Sequence, residues 1–166
     1  MQLAFKIEAM RAADLRSVAD LLAVPAIAAA YYGQPRTRAH ILEELERQAH
    51  ACGAPAIQLV RRPVDQESLV AGAAWVRDGI VSYVVSPGCQ RQGCGLQLLR
   101  AACRLAGEQG GLGRLRASVL RDNRASIRLL EGERFCFVGL SYRSHRAGGR
   151  QVVLDYLWHA APPCVG

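Results

Sequence analysis

The chain has 166 residues, 51% of them hydrophobic, and a formal net charge of +7. This fits one domain spanning residues 1–166 with room for a sizeable core, and no apolar run approaches the ~20 residues of a membrane span. Its 21 basic residues are spread over every segment, which argues against a nucleic-acid module and leaves an arginine-rich surface that attracts anionic small molecules.

Phe5 to Ala9 reads as a first strand, and Ala12 to Ala23 as a helix with Leu15, Val18, Ala19 and Leu22 on one stripe. Pro25 interrupts it. A second helix is expected from Arg38 to Ala51, with His40 either on its surface or lining a substrate site. Strands follow at Ala56 to Arg61 and Ser68 to Val76, separated by a turn over residues 62–67. Asp78-Gly79 is a hairpin signal, with Asp78 as a turn residue, and it leads into the strand Ile80 to Ser86. A glycine loop and a long helix to about Gln109 come next. Leu115 to Leu120 is a strand, Asp122-Asn123 starts a helix to about Glu133, and Phe135 to Arg143 and Gln151 to Trp158 close the chain as two strands. The order β-α-α-β-β-β-α-β-α-β-β predicts an α/β (α+β) fold, a mixed sheet with helices on both faces.

The start Met1-Gln2-Leu3-Ala4-Phe5-Lys6 lacks the features of a secretion signal, so a cytoplasmic location is expected. The six cysteines at 52, 89, 94, 103, 136 and 164 include no C-x-x-C pair, and the histidines at 40, 50, 145 and 159 show no ligand spacing. Reduced, packing cysteines and no metal are the expectation.

The stretch SPGCQRQGCG, Ser86 to Gly95, sits where a strand hands over to a helix. A helix N-terminus leaves backbone N–H groups free and carries partial positive charge, so it attracts phosphate. Gly93 and Gly95 let those amides approach a ligand, and Arg91 adds a cation. A P-loop would need Lys and Ser or Thr after the last glycine, and Leu96-Gln97 stand there instead. The plainer alternative is a loop whose glycines only permit a tight turn.

Gln90-Arg91-Gln92-Gly93-Cys94-Gly95 resembles the [RQ]-x-x-G-x-[GA] loop of the GNAT superfamily, the Gcn5-related N-acetyltransferases. Asn123-Arg124-Ala125-Ser126-Ile127-Arg128-Leu129 is similar to that family's N-x-x-[SA]-x-x-[LF] helix start. The resemblance implies a mostly antiparallel sheet splayed between the fourth and fifth strands, with acetyl-CoA as cosubstrate and a primary amine as acceptor. It implies that Gln90, Arg91, Gln92, Gly93, Cys94 and Gly95 hold the coenzyme A pyrophosphate, and that Val84 and Val85, with Ser86, run beside the pantetheine arm. Asn123 and Ser126 would meet that arm at the next helix. Asn123 also has a purely structural role open to it, capping that helix through the Ser126 amide.

The family's usual tyrosine, which protonates the departing thiolate, is replaced by Leu130. Its usual glycine before the helix-exit phenylalanine is replaced by Arg134. Tyr83 and Asn123 are therefore the candidate catalytic residues. Tyr83 is a candidate to protonate the thiolate or, if strand parity turns it to the acceptor site, to act there as the base, with plain sheet packing as its alternative; Tyr142 is a further hydroxyl, and water relays are an alternative to a protein base. Without a proton donor the chain would be an acyl-CoA-binding sensor. Cys94 in the phosphate loop is not expected to be a nucleophile, so direct attack is expected. The acceptor site is implied around Tyr31-Tyr32-Gly33-Gln34-Pro35 and residues 143–151, where the tyrosines form a lid or simply pack. A small molecule, such as a nucleotide-linked amino sugar, suits the positive charge better than a polyamine. A homodimer is compatible with this reading; nucleic-acid and membrane partners are not expected.

Overall fold

The computed structural model describes residues 5–32, 34–50, 57–64, 69–108, 113–144 and 149–160. Strand β1 is Phe5–Ala9. A 3-10 turn at Ala12–Asp14 leads into α1 (Leu15–Leu22), followed by α2 (Pro25–Tyr32), α3 (Arg38–His50), β2 (Ile57–Pro63), β3 (Gly72–Arg77) and β4 (Ile80–Val85). After a 3-10 turn at Pro87–Cys89 come α4 (Cys94–Glu108), β5 (Arg114–Leu120), α5 (Arg124–Gly132), β6 (Cys136–Ser144) and β7 (Arg150–His159).

The sequence leads to these elements by simple rules. In β5 the order Arg-Leu-Arg-Ala-Ser-Val alternates, and Leu115, Ala117 and Val119 are buried while Arg114, Arg116 and Ser118 face solvent. Asp78 and Gly79 both have positive φ, 50° and 73°, as a two-residue hairpin of type I′ requires. The expected stripe of α1 is buried throughout: Leu15, Val18, Ala19 and Leu22. Full burial of each large aliphatic side chain contributes about 1.5–3 kcal/mol.

Three boundaries differ from expectation. Pro25 begins a helix instead of ending one: it is the first residue of α2, where its missing N–H has no carbonyl to meet. Strand β2 continues through Arg62 and Pro63, which were expected in a turn. Strand β3 starts at Gly72, and Ser68 lies outside the described residues. Gly110, Gly111 and Gly148 also lie outside them.

The seven strands form one sheet in the order β1-β2-β3-β4-β5-β7-β6. Every neighbouring pair is antiparallel except β4–β5, which is parallel and in register only at Ile80↔Arg116. One bond ties them there, from Arg116 N to Gly79 O at 2.7 Å. Beyond it the two strands diverge and leave a gap in the middle of the sheet. One core cluster lies under α4 and α5 and includes Leu98, Leu99, Leu115, Leu130 and Tyr156. The other lies under α1 to α3 and includes Val18, Leu22, Ile41 and Val60.

The exit from α5 closes as a Schellman motif: Phe135 N donates to Leu130 O at 3.0 Å, and Arg134 N to Glu131 O at 3.2 Å. That geometry puts Arg134 at φ 65°, in the left-handed region that favours glycine. Arg134→Gly should therefore raise stability by about 1 kcal/mol, read as a higher urea midpoint at unchanged m-value.

Candidate active site

The first turn of α4 stands at the open end of the gap. Ser86 N donates to Ala71 O at 2.9 Å, which ties the end of β4 to the segment before β3. Residues 87–93 then turn the chain, with Gln90, Arg91, Gln92 and Gly93 exposed. Arg91 and Gly93 have φ of 60° and 75°. Gln97 N reaches Gly93 O at 3.0 Å. The amides of Cys94, Gly95 and Leu96 precede that first helical bond and have no carbonyl within the helix to accept them. Gly95 is fixed by packing: a Cβ there would lie 3.1 Å from Leu129 Cδ1 and 3.7 Å from Tyr83 Cε2. The Gln90 side chain donates to Val85 O at 3.4 Å, and the Gln92 side chain to Gly88 O at 3.1 Å.

Along β4 the backbone alternates. The Val84 carbonyl faces β3, 2.8 Å from where a Cβ on Gly72 would stand. By the same alternation Gly79, whose carbonyl bonds β5, is followed by Val81, Tyr83 and Val85 with their N–H and C=O groups toward the gap. Val84 is buried against the α1–α3 face. Tyr83 and Val85 point their side chains to the α4–α5 face.

Tyr83 thus turns away from the face where Tyr31 and Tyr32 lie, so the expectation that it faces the acceptor site is corrected: strand parity puts it under α4 and α5. Its hydroxyl is buried without a hydrogen bond of good geometry among the described residues. Burial pushes its pKa up, while the nearby Ser126 side chain pulls the other way. Asn123 caps α5 by accepting from Ser126 N at 3.2 Å, so Tyr83, Asn123 and Ser126 come together at the start of α5. Leu130, one turn further on, is a 1%-exposed member of the core.

A buried cation behind the loop escapes sequence reading. Arg61 on β2 is 5% exposed. Its guanidinium lies 3.8 Å over the Phe5 ring, donates to Gln97 Oε1 at 3.1 Å and contacts Cys94 Sγ. Among the described residues no carboxylate pairs with it, so its charge adds to the positive end of α4. Two adjacent arginines within Ile-Gln-Leu-Val-Arg-Arg-Pro were the available signal. The Cys94 thiol is pushed up by burial, against the pull of Arg61, and Cys103 is pushed up to about 12 by burial. Neither is poised as a nucleophile. Cys89 and Cys136 are also free, and Cys52 and Cys164 lie outside the described residues.

On the opposite face, α2 brings Tyr31 against Tyr32 at 4.8 Å and against Trp75 at 5.6 Å between ring centroids. Burial pushes both tyrosine hydroxyls up. Arg143 on β6 donates to the Tyr31 carbonyl, and Arg36 lies 4.6 Å over the Tyr32 ring while pairing with Glu44. Helix α2 and the last hairpin therefore meet, and the tyrosines pack instead of standing as a free lid. Gly33 and residues 145–148 are outside the described residues. His40 is exposed on α3 and pairs with Thr37 Oγ1 at 2.9 Å.

A family model for the acetyltransferase (GNAT) domain matches residues 5–135. No curated protein sequence matches the chain. Among solved structures, spermidine N-acetyltransferase from Vibrio cholerae in complex with CoA and spermine superimposes with a TM-score of 0.77 at 18% identity, over 93% of this chain and 95% of that one. A Salmonella typhimurium protein assigned as an acetyltransferase, with its cofactor acetyl-CoA, gives 0.73 at 21% identity over 98% and 99%. Ribosomal-protein-alanine N-acetyltransferase from Brucella melitensis gives 0.72 at 22% identity over 93% and 99%. At these identities the likeness is one of fold.

Proposed function

The chain belongs to the GNAT acetyltransferase family, and from that premise we propose that it transfers an acetyl group from acetyl-CoA to a primary amine by direct attack. The observation that carries the reading is the gap between β4 and β5, closed at one end by the free amides of α4. Acetyl-CoA fits this frame as a substrate. The amides of Gly93 to Leu96, with Arg91 at the rim and Arg61 behind, would hold the pyrophosphate. Tyr83 and Val85 would offer backbone groups to the pantetheine arm, while Val84 and Ser86 support the strand end. Asn123 and Ser126 would line the thioester end.

In the reaction the amine nitrogen attacks the thioester carbonyl carbon and the C–S bond breaks with its electron pair going to sulfur. A proton then has to reach that sulfur. Tyr83 Oη is the donor we assign: the phenol is protonated at neutral pH, gives its proton to the sulfur and recovers one from solvent. The amine's own proton leaves to solvent. No acyl-cysteine forms, in keeping with the buried, raised thiols of Cys94 and Cys103. The acceptor would approach past Tyr31, Tyr32 and Trp75. Arg143 on that wall favours an amine bearing an anionic group, such as a nucleotide-linked amino sugar, over a polyamine.

Calorimetric titration with CoA and acetyl-CoA tests the site, and thiol release across amino sugars, amino acids, polyamines and peptide N-termini tests the reaction. Gly93→Asp should weaken CoA binding about tenfold or more, because a carboxylate joins the diphosphate. Gly93→Ala is the control for backbone strain at φ 75°. No heat with either ligand would reject the site. Binding without thiol release on every amine would leave the acyl-CoA sensor.

A further inference from the structure

We infer that Ser118 and Asp155 form a relay that carries the acceptor amine's proton toward solvent, an inference that rests on the acetyl-transfer reading above. Ser118 Oγ donates to Asp155 Oδ1 at 2.6 Å. The two residues are direct partners across β5 and β7. Strands β4 and β5 hold no carboxylate of their own; across strands β3 to β7 Asp155 is the one that occurs. Among the described residues no cation pairs with it. Carboxylates on the helices are engaged elsewhere: Glu44 with Arg36, Asp20 with Arg38 and Glu43 with Arg47.

Parity sets the face. Ala117 and Val119, on either side of Ser118, and Leu154 and Tyr156, on either side of Asp155, pack under α4 and α5. Alternation therefore turns Ser118 and Asp155 to the opposite face of the sheet, the one on which Tyr31 and Trp75 lie. Strands β4 and β5 are in register at Ile80↔Arg116. Two residues further along each parallel strand, Ser118 is level with Ser82 and beside Tyr83, about 7 Å past the closed end of the gap. Ser118 is exposed there and Asp155 half-buried. A thioester held in the gap at this level has the Tyr83 phenol on one face and the Ser118 hydroxyl on the other.

An amine that arrives past Tyr31 and Trp75 meets the Ser118 hydroxyl. Attack on the thioester carbon forms the C–N bond and leaves a positive charge on nitrogen. The N–H bond then breaks toward Ser118 Oγ while the serine's own proton passes to Asp155 Oδ1. Ser118 ends as it began, and Asp155 returns its proton to solvent. The sulfur takes a separate proton from Tyr83, so amide and thiol both form neutral. A serine hydroxyl is a poor base alone; an adjacent carboxylate is what lets it accept a proton.

Thiol release from acetyl-CoA by the full chain, with glucosamine, alanine, butylamine and spermidine as separate probes, is the test. On each probe that the wild type acetylates, Ser118→Ala and Asp155→Asn should each lower kcat about 10²- to 10⁴-fold, with CoA affinity by calorimetry unchanged. Two groups that act in series are not additive, so the double variant should fall no further than the larger single loss. Ser118→Thr keeps the hydroxyl and suits a strand, so it should restore turnover. The plain alternative is a cross-strand hydrogen bond that only ties β5 to β7, which predicts lower melts with wild-type turnover. That result, losses that multiply in the double variant, or a Ser118→Thr as slow as Ser118→Ala would each overturn the relay while acetyl transfer stands. A wild type that binds acetyl-CoA but releases no thiol with any amine would instead remove the acetyl-transfer reading, and the relay with it.

Discussion

Asp14→Ala should cost about 3 kcal/mol of stability, the low end of the range for breaking a buried ion pair. Arg62 is fully buried, at 0% exposure, and Asp14 is at 4%. Their contact is 2.8 Å, and Arg62 also meets Glu8 at 2.9 Å. Asp14 accepts the Arg11 amide at 2.8 Å as well, which fixes the turn into α1. Removing the carboxylate leaves the guanidinium with Glu8, which lies nearer the surface; this is why the low end applies. Arg62→Met combined with Asp14→Leu should recover most of the loss, because well-packed apolar side chains replace a buried pair at little or no net cost. Urea denaturation of the single and double variants checks both, and a double variant no better than the single would show that the pair is not the source of the loss.

The same carboxylate sets an acid limit. Burial alone would raise the Asp14 pKa, but the Arg11 amide and the Arg62 guanidinium outweigh it and hold the group below the ordinary carboxylate range. A depressed folded pKa means that the unfolded chain takes up the proton first. The contribution is therefore complete above the unfolded value of about 3.9 and is lost as pH falls below it, through the folded value. Asp14→Ala should flatten the stability curve in that acid window, and urea midpoints at a series of pH values would reveal it.

The sequence carried the strands well because half-buried strands write their burial as alternation, as in Leu115, Ala117 and Val119. It carried the loop and the α5 cap because those depend on local chemistry: glycines at a helix start, and asparagine three residues before the amide it accepts from. Helix α2 was hidden for a physical reason. Pro-Ala-Ile-Ala-Ala-Ala-Tyr-Tyr is apolar all round, so it has no polar face to mark the period, and its proline reads equally as a stop or as a first residue. Arg61 and Arg62 were hidden for another. As neighbours in a strand they point to opposite faces, one to Cys94 and Gln97 and the other to Asp14. Partners 33 to 48 residues away belong to the tertiary fold. The side on which Tyr83 lies follows from strand parity, but parity has meaning only once α4 and α5 are known to cover that face.

Tyr83→Phe should lower acetyl-transfer turnover about 10²- to 10⁴-fold, the usual worth of a positioned proton donor, while leaving CoA affinity unchanged. The same substitution should leave stability equal or raise it by about 1 kcal/mol. The reason is the hydroxyl's position: it is buried with no well-formed hydrogen bond among the described residues, and burying an unsatisfied polar group has a cost that phenylalanine does not carry. The ring itself packs against the start of α4, 3.7 Å from the position a Cβ on Gly95 would take, and phenylalanine keeps that contact. A purely structural tyrosine predicts normal turnover per folded molecule. Leu130 offers no easy replacement, since at 1% exposure it lies in the core; Leu130→Tyr should overpack it at about 1–3 kcal/mol. Melts and thiol-release rates measured on the same preparations of wild type and Tyr83→Phe separate the cases. Turnover preserved in Tyr83→Phe would move the proton to water and remove the phenol from the mechanism.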